Sequence, residues 1–186
     1  MFVILLKYGT IGINHAEGLF MQIRTVTDSD IPQWLELSAE YDPYVKESVS
    51  DLSEWYGGNE TSPAYDFYMR SKISQREAFM AVDNADNCLG IIAFSKKNNR
   101  ITFFAVSHCA DFPVVADALF CRAFGLLDIS KPVFISEIIS AADWMRLHHE
   151  FYRNLGFAFY SDTIENGVPV KTLVKLPSSY EPKQSS

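Results

Sequence analysis

One carboxylate of this 186-residue chain is a candidate for moving a proton: Glu137, late in the apolar run Val133-Phe134-Ile135-Ser136-Glu137-Ile138. If that run is a strand ending at a cleft, Glu137 can act as a general base through water; the alternative is a solvated edge position. His108 beside Cys109 offers an imidazole next to a thiol. Adjacency in sequence does not give the two groups hydrogen-bond geometry, and nothing nearby in sequence holds His108 in one tautomer, so an exposed loop histidine is expected. His148 and His149 are neighbours, and on a helix they point about 100° apart, which makes it hard for them to share a metal. His149 with Glu150 is expected on a solvated helix face. The cysteines Cys88, Cys109 and Cys121 are odd in number and lack CxxC spacing. Neither a metal centre nor a disulfide framework is expected, and a reducing cytoplasm suits them.

Segment 41–68 carries Tyr41, Tyr44, Trp55, Tyr56, Tyr65, Phe67 and Tyr68 among Asp42, Glu47, Asp51, Glu54, Glu60 and Asp66. Aromatic faces with carboxylates attract a cation such as a protonated amine. Helix aromatics in a core with acids on the surface give the same pattern.

These residues need a scaffold, and the composition supplies one. With 48% apolar residues the chain is long enough for one compact domain. Sixteen Lys and Arg against 23 Asp and Glu give a net charge of −7, which offers no phosphate-neutralising excess; nucleic-acid binding is not expected. MFVILL at 1–6 is far shorter than the ~20 residues that cross a bilayer. It also lacks the basic start and small-residue cleavage pattern of a secretory signal, so a cytoplasmic protein without membrane attachment is expected. No period is sustained from Lys7 to Phe20. Residues 1–20 therefore read as an N-terminal extension, upstream of a natural start at Met21, or else MFVILL packs as an extra strand or helix turn. Residues 21–176 read as a single domain and 177–186 as a loose tail.

From Met21 the pattern alternates as a strand to Val26. Asp28-Ser29-Asp30 before Ile31-Pro32 reads as a helix start, with Ile31, Trp34, Leu35 and Ser38 on one face. The helix is expected to run to about Glu40, because Tyr41-Asp42-Pro43 should end it. Residues 44–62, broken by Gly57-Gly58, read as loop with room for a short helix, and a second helix is expected over about 63–73. Strands at 78–82, 89–94 and 101–106, joined by the polar turns DNADN at 83–87 and KKNN at 96–99, predict an antiparallel meander. A helix over about 113–127, a strand at 133–138, a helix over about 142–155, a strand at 156–160, a turn at Asn166-Gly167 and a strand at 168–174 complete the order. That order, β-α-α-β-β-β-α-β-α-β-β, predicts an α/β fold with a mixed sheet and helices on both faces.

Within it, Phe151-Tyr152-Arg153-Asn154-Leu155-Gly156-Phe157 resembles the FYxxxGF segment of the GCN5-related N-acetyltransferase superfamily, where a helix ends at a glycine and the chain re-enters the sheet. Ile23-Arg24 followed by 28–34, the strand pair 78–82 and 89–94, and Phe104-Ala105-Val106-Ser107 leading to a loop and helix resemble family segments in the same order, over roughly 21–175. The resemblance implies acetyl transfer from acetyl-CoA, as co-substrate and without a metal, to an amine of a small molecule or peptide. The two strands 101–107 and 133–138 would splay apart to admit the pantetheine arm. Donor binding would fall to Val106 and Ser107 on the strand and to Asp111, Phe112, Pro113, Val114, Val115 and Ala116 at the next helix's N-terminus. Tyr152 holds the place of the tyrosine that protonates the leaving thiolate, and segment 41–68 the acceptor side. A homodimer is the default assembly for such domains.

The pyrophosphate loop departs from the family pattern Q/R-x-x-G-x-G/A. Among Asp111 to Ala116 only Ala116 fits, Val114 stands at a glycine slot, and no glycine occurs between Gly90 and Gly125. Asp111 can serve instead as a helix cap with Pro113 in the first turn. Two alternatives therefore accompany the transferase: a catalytically inactive binding or regulatory module, and a transferase using a different acyl carrier.

Overall fold

The alternation at 21–26 and the apolar runs at 78–82, 89–94 and 101–106 all become strands of one sheet in a computed structural model, which describes residues 11–14, 20–48, 63–138, 143–165 and 168–178. The strands are β1 (Ile11–Asn14), β2 (Phe20–Thr25), β3 (Ala78–Val82), β4 (Cys88–Ser95), β5 (Arg100–Val106), β6 (Val133–Ile138), β7 (Phe157–Glu165) and β8 (Val168–Lys175). The helices are α1 (Ile31–Ser48), α2 (Pro63–Ser74), α3 (Phe112–Phe124) and α4 (Asp143–Asn154). Sheet order is β1-β2-β3-β4-β5-β6-β8-β7, and every pair is antiparallel except β5 with β6.

Helices cover both faces, as the sequence pattern predicts. Trp34 and Leu37 of α1 and Met69 of α2 pack on Met80, Ile91, Ala93 and Ala105. Phe112, Val115, Leu119 and Phe120 of α3 and Tyr152 of α4 pack on Phe79, Ile92, Phe94, Val106 and Ile135 across the sheet. Gly90 sets how close α3 comes. A Cβ there would lie 2.8 Å from Val115 Cγ1 and 3.0 Å from the Ala105 carbonyl oxygen. Gly156, the glycine of the FYRNLGF segment, has φ +86° and donates to the Arg153 carbonyl at 2.9 Å, which ends α4 and turns the chain into β7.

Three elements differ from expectation. Strand β1 pairs with β2 inside segment 1–20, so part of that segment belongs to the sheet. The cap of the first helix is Thr27, whose N–H donates to the Asp30 carboxylate at 2.7 Å, with a single 3-10 turn at 28–30 before α1. Helix α1 continues through Pro43 to Ser48. The local bias against helix before proline is a modest preference, and tertiary anchors at Glu40 and Tyr41, described below, outweigh it. Strand β7 also runs on to Glu165, held by pairing with β8 along its length. The expectations for MFVILL, Gly57-Gly58, the turn at 166–167 and the end of the tail lie outside the described residues.

Candidate active site

Strands β5 and β6 part company early. Their pairing is confined to Arg100↔Phe134 and Ile101↔Ile135, while β4 stays on β5 as far as Val106. The Ser107 N–H donates to Leu89 on the β4 side at 2.9 Å. Backbone groups alternate in direction along a strand, so the N–H and C=O of Val106 and Phe104 face the open side, where β6 has left. This is the splay that the family resemblance implies between 101–107 and 133–138.

Helix α1 reaches into that opening. The Tyr41 hydroxyl donates to the Val106 carbonyl and accepts from the Val106 N–H, both at 2.8 Å, so one side chain satisfies both backbone groups as a partner strand would. One residue earlier, the Glu40 carboxylate accepts from the Ser107 hydroxyl at 3.0 Å and from the His108 N–H at 2.8 Å. His108 Nδ1 is also 3.9 Å from Glu40, so this loop histidine has a carboxylate neighbour from a distant element. Cys109 is exposed and in no disulfide. Farther along β5, the Tyr68 hydroxyl donates to Thr102 Oγ1 at 2.9 Å, just past the last β5–β6 pair, and Tyr65 stacks on Tyr68 at 5.9 Å. Of the aromatic and acidic residues in 41–68, Tyr41 and Tyr68 thus bond to β5 at the splay with Tyr65 stacked on Tyr68, Asp66 pairs with Arg70, Phe67 is exposed, and 42–64 lie outside the described side chains.

The start of α3 is capped from within. Asp111 is the N-cap and accepts from the Val114 N–H at 3.4 Å, with Pro113 in the first turn, as the capping alternative in the sequence predicts. Amides 108, 109, 110, 114 and 115 all donate to groups of the protein itself. Phe112, Val115 and Ala116 are buried in the core beneath, and Asp111 and Pro113 are exposed. A diphosphate here would meet a helix N-terminus of favourable polarity, but it would compete with the Asp111 carboxylate and lie near Glu40.

Beyond the parting of the strands, Glu137 shares the inward face of β6 with Val133 and Ile135. Its side chain is 2% exposed, and burial pushes its carboxyl up to about 8, opposed by the charge of Lys171 opposite it on β8. His149 Nε2 of α4 lies 2.6 Å from Glu137 Oε2, off the line of a well-formed hydrogen bond, and neither carboxyl oxygen makes one among the described residues. The sequence expectation of a solvated face for His149 is therefore corrected: its imidazole is 41% exposed and its other side covers Glu137. The cause is the steep amphipathicity of α4, which presses one histidine into the core and leaves the next at the boundary.

Tyr152 is 3% exposed and sits among Phe104, Phe120, Phe151 and Phe157 rather than on the wall of the opening. Burial, then the charges of Glu137 and Tyr41, raise its phenol well above the ordinary range. Its hydroxyl is 3.3 Å from His148 Nδ1, and His148 Nε2 is 3.3 Å from the Tyr41 hydroxyl. His148 packs on Phe104 and Phe112 on the α3–α4 face, whereas Tyr41 hangs from α1 on the other face. Their contact passes through the opening between β5 and β6. Burial, then His149 and His108, lower His148 to about 3, so it is neutral at pH 7.

Of the residues expected in the site, Val106 and Ser107 lie at the opening, Glu137 just beyond it and 111–116 at its end, whereas Tyr152 is packed in the adjoining core and connects to the opening only through His148 and Tyr41. Sequence reasoning missed the parts played by Glu40, Tyr41, His148 and His149. The four-residue spacing of His148 and Tyr152 was a usable signal for a shared helix face. No local signal ties Tyr41 to Val106, 65 residues away. Among the described residues there is no cluster of His, Cys, Asp and Glu of a kind that holds a metal, and no helix long and apolar enough to cross a membrane.

No protein-family model matches the chain, and no curated protein matches it in sequence. Solved structures do match in shape. The NatC complex bound to Gag peptide and CoA aligns with a TM-score of 0.57 at 14% identity, over 86% of this chain and 99% of that one. A GCN5-related N-acetyltransferase from Kribbella flavida gives 0.55 at 16% identity, over 84% and 97%. An N-acetyltransferase from Staphylococcus aureus Mu50 gives 0.54 at 14%, over 83% and 96%. The chain has the fold of the GCN5-related N-acetyltransferases, as the sequence resemblance implies.

Proposed function

We propose that this chain is an acetyl-CoA-dependent N-acetyltransferase that acts on a primary amine of a small molecule or peptide by direct attack in a ternary complex. The observation that carries this reading is the parting of β5 from β6 after Ile101 and Ile135, with the buried Glu137 just beyond it. In such a transfer the amine nitrogen bonds to the acyl carbon, the carbon–sulfur bond breaks, and the thiolate takes up a proton. Glu137 is the candidate base for the ammonium, and its raised pKa suits proton uptake near neutrality. Tyr152, the sequence candidate for protonating the thiolate, has access to the opening through His148 and Tyr41. Tyr41, Tyr65 and Tyr68 with the Glu40 carboxylate suit a cationic acceptor. Peptide N-termini belong in the acceptor panel because the NatC structure carries a peptide beside CoA; this is an analogy of fold. The free thiols and the acidic charge suit a cytoplasmic setting.

A thiol-release assay over polyamines, amino acids, aminoglycosides and peptides tests this reading. The expected result is amine-dependent release that Glu137→Gln lowers by about 100-fold or more. A second reading, a module without catalysis, is favoured by Tyr41, Glu40 and Asp111 occupying donor groups that a bound acyl donor would use. Absence of acetyl-CoA binding in wild type and in the Tyr41→Phe and Glu40→Gln variants alike would establish that reading instead.

A further inference from the structure

Glu137 is walled off from water, yet a base must release its proton before the next turnover. Among the described residues, the groups that face it are few. Lys171 lies opposite on β8, His149 meets it from α4, and the Tyr152 hydroxyl, itself against His148, is its electrostatic neighbour on the same helix. Of these, His149 touches the carboxyl and also reaches solvent: its side chain is 41% exposed against 2% for Glu137, across a 2.6 Å separation.

We infer that His149 is the positioning residue for Glu137: its half-exposed imidazole orients the buried carboxylate and carries out to water the proton that the carboxylate takes from the acceptor ammonium. The inference rests on the transferase reading and assigns a residue to its proton path. The ammonium gives one proton to the Glu137 carboxylate and becomes the free amine. The resulting carboxylic acid passes that proton to His149 Nε2, and the imidazolium releases it to solvent through Nδ1. The Glu137 carboxylate is restored at once, the imidazole left protonated on Nε2 regains its starting tautomer by exchanging protons with water through its exposed side, and no oxidant or other co-reactant is needed. His149 is held below its ordinary pKa by burial and by Lys171, so it is neutral and able to accept at pH 7. The step from the acid to the imidazole runs uphill, which turnover on the ordinary scale of about 1–10³ s⁻¹ tolerates.

Two measurements on the full chain test this. In the first, His149→Gln and His149→Ala are compared with wild type in the thiol-release assay. The expected result is a kcat lowered about 100-fold with the KM for acetyl-CoA within about twofold of wild type. Imidazole buffer should restore the His149→Ala rate in proportion to its concentration, which a merely structural histidine would not show. Unchanged rates, or a loss that imidazole does not restore, would overturn the assignment. The second follows the His149 ring protons by NMR through a pH titration, with and without Glu137→Gln. The midpoint should move when the carboxyl is removed, and an unmoved midpoint would overturn the pairing. If wild type releases no thiol with any amine while the midpoint still moves, the transferase reading fails and the relay falls with it, leaving a coupled pair.

Discussion

Two buried groups make opposite demands on pH. Glu137 holds its proton up to about 8 in the folded chain because burial disfavours its charge, whereas an unfolded glutamate titrates at about 4.3. The folded state thus binds the extra proton, and its contribution to stability is lost as pH rises from about 4.3 through 8. His148 is depressed to about 3, so the unfolded chain binds the extra proton below about 6.5, and stability is lost as pH falls from there. Glu137→Gln should raise the melting temperature at pH 9 by about 2 °C or more, with little change at pH 4.5; circular dichroism melts across pH check this. Tyr152→Phe should lower turnover while costing about 1 kcal/mol or less in stability, since it loses one long hydrogen bond to His148. The candidacy of Glu137 was legible from its place late in the apolar run 133–138, a lone carboxylate at the end of a strand. Its partner was not: the contact with His149 depends on how α4 lies over β6, and no local spacing records that.

At the scale of elements, two glycines fix how helices meet the sheet. Gly156→Ala forces a Cβ into a left-handed backbone and should cost about 1–2 kcal/mol in denaturant melts. Gly90→Ala drives a methyl against Val115 and the Ala105 carbonyl and should cost about 1–3 kcal/mol while displacing the start of α3. The FYRNLGF segment advertised the first glycine through its helix-to-strand pattern; the second is visible only once α3 and β4 are packed together. Helix α1 teaches the same lesson on a larger scale. Proline at 43 reads as a stop, yet Glu40 and Tyr41 are tied to β5 and its following loop, and the helix passes through. These ties make α1 a competitor for the donor groups of β5. Tyr41→Phe removes the surrogate pairing at Val106 and should tighten acetyl-CoA binding about two- to tenfold, read by calorimetry.

For the molecule as a whole, element order, the meander and the placement of helices on both faces followed from periodicity and turn chemistry, and the solved structures share that architecture. The glycine-poor loop at 111–116 was legible as a departure, and the structure explains it as a self-capped helix start. What the chain's pattern could not convey was that the opening between β5 and β6 is crossed by Tyr41 and His148, because residues from α1 and α4 meet there through the sheet. The most direct test of the account is a calorimetric titration of the wild-type chain with acetyl-CoA, paired with amide exchange at Val106 and Ser107. The account predicts saturable binding at about micromolar concentration, tighter in Tyr41→Phe, with altered exchange at those two amides. A flat titration in both proteins, with exchange at Val106 and Ser107 unmoved by the ligand, would contradict it.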